Sequence, residues 1–263
     1  MKKKAVYPKV AVDLFFAQGG WSIWFLGIIT TVHIIKAIIA FNTGSPQGDF
    51  YGSSTVSSNI YIFIIGIIGA YAFLPMYVQN GVTRKDYFKG AILAVIGLSV
   101  AIVLFSVLLT GIEYLLVKFA NLPLEIDNSK IISFDEDGDG NIIATVVKMI
   151  VVSPYVSLSG NWLLSLIVSS FNLITSYLIG WLIGAGYYRY GWFIGLGFIG
   201  LSIVFMMSWD MLWGIEVSEP LSTWIGVGSL DLPVLVSFLG SFAIIGIILT
   251  IIRTITRKVI VKI

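Results

Sequence analysis

Residues 135–142 read Asp-Glu-Asp-Gly-Asp-Gly-Asn-Ile, with acidic side chains at alternate positions and glycine next. This reproduces the first half of an EF-hand calcium loop, where carboxylate oxygens surround the cation and glycine permits the sharp turn. The closing bidentate glutamate is missing, and Val146 stands in its place. Asp135, Asp137 and Asp139 would need a further carboxylate, such as Glu125 or Asp127, and would hold calcium only weakly. The same residues also suit a metal-free, glycine-rich turn of a short β-hairpin joining 131–134 to 142–145.

Other chemistry has fewer footholds. The chain has no cysteine and one histidine. That removes disulfides, thiolate metal sites, a cysteine nucleophile and any metal centre built from several histidines. No HExxH, GxSxG or GxxxxGK[ST] pattern occurs, so the expectation is a non-enzymatic chain with no nucleotide site or resident cofactor of its own. What remains is a set of polar side chains inside apolar runs: His33, Lys36, Glu113, Asn172 and Asp210. Ionisable groups in a bilayer are costly, and they pair, snorkel to the interface or line a substrate or proton path. His33 and Lys36 share a helical face, and Glu113 and Asp210 fall at similar depth in their own runs, so these four are expected to pair near one interface. Asn172 is expected to bridge helices by a hydrogen bond.

Long apolar runs must position these residues. Hydrophobic residues make up 57% of the chain and charged residues 11%, the latter under half of the usual share in soluble domains. Runs at 21–41, 58–78, 91–117, 162–185, 192–214 and 234–252 are each long enough to cross the hydrocarbon core. The expected fold class is therefore all-α: a polytopic membrane protein with six spans forming one transmembrane domain over residues 1–263. The first run lacks the short apolar core and small-residue cleavage pattern of a signal peptide, so it reads as a retained helix. Ahead of it, residues 5–20 place Val10, Leu14 and Phe15 on one face and Lys9, Asp13 and Gln18 elsewhere, before Gly19-Gly20. This predicts an amphipathic helix lying in the membrane plane and turning inward at the glycine pair.

Charge placement predicts the orientation. With both termini and the loops 79–90 and 186–191 on one side, that side gathers Lys2, Lys3, Lys4, Lys9, Arg84, Lys85, Lys89, Arg189, Arg253, Arg257, Lys258 and Lys262. By the positive-inside rule it is cytoplasmic. The other side collects acids, most of them in an outer loop over 118–161 and in the segment 216–233. A net charge of +2 averages these two faces and does not indicate nucleic-acid binding.

The inner loop between spans two and three, Val78-Gln79-Asn80-Gly81-Val82-Thr83-Arg84-Lys85-Asp86-Tyr87-Phe88-Lys89-Gly90, is built as a turn followed by a capped helix. Asn80-Gly81 tolerates positive φ, Thr83 and Asp86 have capping-box spacing, and Val82 with Tyr87 suits a hydrophobic staple. A short loop on the positive side of any membrane protein would share part of this pattern.

With the six spans and the amphipathic N-terminal segment, this Asn-Gly-Val-Thr-Arg-Lys-x-x-Phe motif resembles the membrane subunits of type-2 ABC exporters, particularly the small permeases of Gram-positive bacteria. The arrangement covers nearly the whole chain, the motif about a dozen residues. The resemblance implies a bacterial cell-membrane permease, a separate ABC ATPase subunit that supplies ATP hydrolysis, and a second membrane subunit, either another copy or a paralogue. It also implies that Asn80, Gly81, Thr83, Arg84, Lys85, Tyr87 and Phe88 form a coupling helix docked in a groove of the ATPase. There Tyr87 or Phe88 would serve as apolar anchor and Arg84 or Lys85 as charged rim.

The apolar spans favour a hydrophobic or amphipathic cargo, a peptide or lipid, over a small ion. Two alternatives remain at this stage: a non-transporting sensor, scaffold or immunity protein acting through its acidic outer loop, and an ATP-independent carrier. The carrier is disfavoured by the lack of a three-span repeat and of polar span centres. Segment 142–157 is apolar but broken by Lys148 and Pro154, so it is expected to rest against the outer leaflet or neighbouring helices. Trp209, Trp213 and Trp224 suit an outer aromatic belt. Gly180 and Gly184, Gly191 and Gly195, and Gly197 and Gly200 suit close helix packing.

Overall fold

A computed structural model describes residues 5–120, 158, 161–214 and 232–257. The calcium-loop residues Asp135, Asp137 and Asp139, the alternative hairpin, segment 142–157, and 215–231 with Trp224 lie outside the described residues. The elements are α1 (Tyr7–Thr43), α2 (Phe50–Ile68), a π-helical turn (Gly69–Phe73), α3 (Leu74–Gln79), α4 (Arg84–Phe119), α5 (Trp162–Tyr190), α6 (Trp192–Leu212) and α7 (Val234–Arg257). No strand occurs among the described residues. Counting α2, the π turn and α3 together, six helical segments are long and apolar enough to cross a membrane, as the composition predicted. The chain is an all-α, multi-pass membrane protein.

Three boundaries differ from the sequence expectation. Helix α1 is unbroken over 37 residues, so Gly19-Gly20 does not separate an in-plane helix from a span. Val10 and Leu14 share a face as expected, but Gln18, expected elsewhere, is buried with them at 1% exposure, and α4 packs along α1 in place of a lipid surface. Val10 and Leu14 are buried, and a Cβ at Gly90 would lie 2.7 Å from Val10 Cγ1. The second span starts at Phe50, well before residue 58. The run Gly52-Ser53-Ser54-Thr55 reads as loop, yet Ser54 and Thr55 return their hydroxyls to the Tyr51 carbonyl at 3.0 and 2.7 Å, which lets them lie inside an apolar helix. Finally, the capped segment and the third span form one helix, because α4 runs unbroken over 36 residues from Arg84.

Helix α5 is the centre of the bundle, packing against α2, α4, α6 and α7. In lipid, helices gain little from hydrophobic burial against each other, so close contact and hydrogen bonds must hold the bundle. Helices α2 and α5 run parallel, because Tyr51 meets Ser165 and Ser169, Asn59 meets Ser176, and Gly66 meets Tyr177 further along both helices. Their backbones touch: a Cβ at Gly66 would sit 2.1 Å from the Tyr177 carbonyl oxygen, and one at Gly180 would sit 2.1 Å from that of Phe63. Gly184 continues this contact along Ile67 and Ala70. Gly191, at φ 82°, turns the chain sharply from α5 into α6. Gly197 and Gly200, by contrast, meet no other part of the described chain.

The π turn has a local cause. Pro75 offers no N–H to the preceding turn, and a wider turn ahead of it reorganises the ladder, with the Leu74 N–H reaching the Gly69 carbonyl. At the other end, Trp209 is buried at 3% exposure, and Trp213 Nε1 donates to Ser241 Oγ at 3.1 Å. Neither is a free member of a lipid-facing belt.

Candidate functional site

The turn between α3 and α4 is tightly specified. The Asn80 side chain donates to the Met76 carbonyl at 2.8 Å, Val82 N–H reaches the Tyr77 carbonyl at 3.0 Å, and Gly81 takes φ 82°. Thr83, extended at φ −70° and ψ 145°, caps α4 by accepting from Asp86 N–H at 3.0 Å. Its hydroxyl donates to Asp86 Oδ2 at 2.8 Å. The predicted box therefore closes between the two side chains, while its Thr83-to-Asp86 half is as expected.

The segment divides by exposure. Asn80, Gly81, Thr83 and Lys85 are exposed, and Arg84 is half-buried. Tyr87 is enclosed at 1% exposure. Its hydroxyl donates to the Gly69 carbonyl of the π turn at 2.6 Å, and its ring stands edge-on to Trp181. Phe88 packs against Trp181 and lies under the Arg253 guanidinium, 5.3 Å from the ring centroid. Neither aromatic is presented as a surface anchor; both root the helix start in the bundle. Packing that sequence spacing could not reveal has turned them inward.

The intramembrane polar residues separate into groups. His33 Nε2 and Glu113 Oε1 meet at 2.8 Å, as expected of residues at similar depth. Glu113 Oε2 also accepts the Phe50 N–H at 2.9 Å, and the Gln47 amide lies 3.1 Å from His33 Nε2. One carboxylate thus joins α1, α4 and the first turn of α2, whose positive dipole end favours it. Beside this pair, an apolar groove of about 430 Å³ runs between α1 and α4, walled by Ile34, Ile38, Leu109 and Ile112. Lys36 stays outside the pair and lines a separate cavity with Ser45, Gln47 and Ser53. Asp210 is buried on α6 at 6% exposure and does not join the His33 group. Asn172 is buried, but its Nδ2 has no partner among the described residues, so the predicted interhelical bridge from that nitrogen does not form there.

Sequence reasoning missed a seam of hydroxyls within the bundle. Tyr51 Oη contacts Ser169 Oγ at 2.5 Å and Ser165 Oγ at 2.6 Å. A void of about 10 Å³ beside it is lined by Thr55, Ser58, Ser106 and Ser169. The seam lies in the first turns of α2 and α5, toward one end of the spans. The missed signal was the recurrence of Ser and Thr in 53–58 and 165–176, which reads as loop or neutral filler until both helices are known to face one another. Nearer the other end, Gln18 Nε2 donates to Tyr177 Oη at 3.3 Å, and Tyr77 Oη donates to Asp13 at 2.5 Å.

Comparison with protein-family models, curated proteins and solved structures finds no match to this chain.

Proposed function

We propose that this chain is the permease subunit of an ATP-driven ABC exporter in a bacterial cell membrane, with both termini cytoplasmic and ATP hydrolysed by a separate subunit. The observation that carries the reading is the helix start at 80–88. Asn80, Thr83 and Lys85 face outward on a fixed turn, while Tyr87 and Phe88 are rooted against Trp181 and the π turn. A docking element that receives force needs that division, because a floppy loop would absorb displacement that a capped and buried helix start passes on. The outward cations Lys85 and Lys89 suit an acidic groove rim, and they follow the same basic-inside partition that sets the orientation. The cargo is a hydrophobic or amphipathic molecule carried outward by a pair of such subunits.

The test is affinity purification from the native membrane, comparing the wild type with Lys85→Glu/Lys89→Glu. Both lysines are exposed, so their reversal leaves the buried contacts of Phe88 in place and gives up only the Lys89–Tyr7 contact. An ABC ATPase recovered with the wild type and lost with the variant, at unchanged thermal stability, supports the permease. No ATPase with either protein refutes it and returns the chain to the sensor or carrier readings.

A further inference from the structure

The cations at this end of the bundle reach beyond the turn. Arg253, in the penultimate turn of α7, donates from Nη1 to the Arg84 carbonyl at 3.2 Å while its guanidinium covers the Phe88 ring. Arg189, in the last turn of α5, donates from Nη1 to the carbonyls of Thr254 and Ile255 at 3.0 and 2.7 Å. These acceptors belong to the last described turn of α7. Lys89 lies over the Tyr7 ring at 5.5 Å, tying α4 to α1. Lys85 and Arg257 remain exposed beside these contacts.

We propose that the end of α7 is the second half of the partner-docking surface, continuous with the turn at 80–85, and that Arg253 is the positioning residue that makes the two halves move together. This rests on the permease reading and adds a surface to it. A guanidinium suits the task because its planar face stacks on Phe88 while an edge N–H still reaches the carbonyl, which a point-like ammonium does less well. The partner chemistry is an acidic, preformed groove of a protein. An anionic lipid surface would be met by cations snorkelling independently; it gives no reason to bind a guanidinium to the backbone of the neighbouring helix. Rigid alignment of two helix ends matters when the opposing surface has a shape of its own.

The absence of native cysteine allows a direct test. Spin labels at Leu93→Cys and Thr250→Cys, both exposed and outside the proposed surface, report the spacing of α4 and α7 in the purified chain and in the chain recovered with its ATPase. The wild type is expected to give one narrow distance, Arg253→Ala a broadened one, and Phe88→Leu, which keeps bulk but removes the ring face, broadening in the same sense. Arg257→Glu is expected to leave the distance unchanged and to lower ATPase recovery about tenfold, the effect of losing one charge-assisted contact. The inference is overturned if Arg253→Ala and Phe88→Leu leave the distance as narrow as in the wild type. It is equally overturned if Arg257→Glu recovers the ATPase normally while Lys85→Glu does not, or lowers only the retained anionic lipid. If no ATPase is recovered even with the wild type, the permease reading and the docking role of α7 fail with it, and the label distances still decide whether Arg253 fixes the two helices.

Discussion

Replacing Gly180 by alanine tests the contact on which the bundle depends. The new Cβ would lie 2.1 Å from the Phe63 carbonyl oxygen, against an ordinary contact of 3.4 Å or more. Neither group can swing aside, because both belong to helix backbones, so α2 and α5 must separate by about 1 Å. A gap of that size forfeits roughly a quarter to a half of the dispersion energy of each facing atom pair. It would also stretch the Asn59–Ser176 and Tyr51–Ser169 contacts, at 3.2 and 2.5 Å. Overpacking of this kind costs about 1–3 kcal/mol, and interhelical hydrogen bonds in membranes about 0.6 kcal/mol each, so the expected loss is about 2–3 kcal/mol. The assay is reversible unfolding in mixed micelles with increasing sodium dodecyl sulfate, followed by circular dichroism. Gly197→Ala is the control: nothing lies within 4 Å of its Cβ position, and alanine favours the helix by roughly 0.5–1 kcal/mol. The seam also predicts non-additivity. Gly66 faces Tyr177 across the same contact, so once Gly180→Ala has opened it, Gly66→Ala should cost at least about 1 kcal/mol less than it does alone. Equal stability of Gly180→Ala and Gly197→Ala would refute the backbone contact and with it the parallel register of α2 and α5.

In the same assay, Tyr51→Phe should destabilise by about 1 kcal/mol, since it removes one hydroxyl from the Ser165 and Ser169 contacts and keeps the ring in place. A double-mutant cycle over His33→Ala and Glu113→Gln should return a coupling of about 1–2 kcal/mol, and zero coupling would mean that the 2.8 Å contact is not maintained in lipid. Thr83→Ala removes the α4 cap and should cost about 1 kcal/mol, with Thr83→Ser restoring it and hydrogen exchange at Asp86 reporting the change.

Span number and type were legible in the sequence because the bilayer leaves a narrow choice: an apolar run of sufficient length must be helical to satisfy its own backbone. The turn at Asn80-Gly81 and the cap at Thr83 were legible because they depend on local geometry. The pairing of His33 with Glu113 could be anticipated from depth alone, but the exclusion of Lys36 and Asp210 could not, since depth says nothing about which helices are neighbours. The inward turn of Tyr87 and the hydroxyl seam around Tyr51 depend on tertiary packing in the same way. Gly19-Gly20 misled because glycine weakens a helix only when nothing compensates. Here Val10 and Leu14 on one side of the pair are held in the core, and Leu26 is held on the other.

Helices α2 and α4 differ in how they can carry motion. Helix α4 is continuous from Arg84 to Phe119, about 54 Å at the usual rise. Its first turns hold the Arg253 contact, and Glu113, near its other end, holds His33 and the N–H of Phe50. A displacement applied at Arg84 is therefore delivered along one helix to the start of α2. The second span has a compliant point at the end of α2, where the π turn and Pro75 interrupt the regular ladder, and Tyr87 from α4 is bonded to the Gly69 carbonyl at that point. The rigid helix thus holds the flexible one at both its start and its weakest turn, while the glycine contacts to α5 clamp the length between them. Shifting α4 lengthwise cannot leave α2 unchanged: either the Tyr87 bond and the Glu113 bond move together and α2 follows as a body, or one gives way and α2 bends at the π turn.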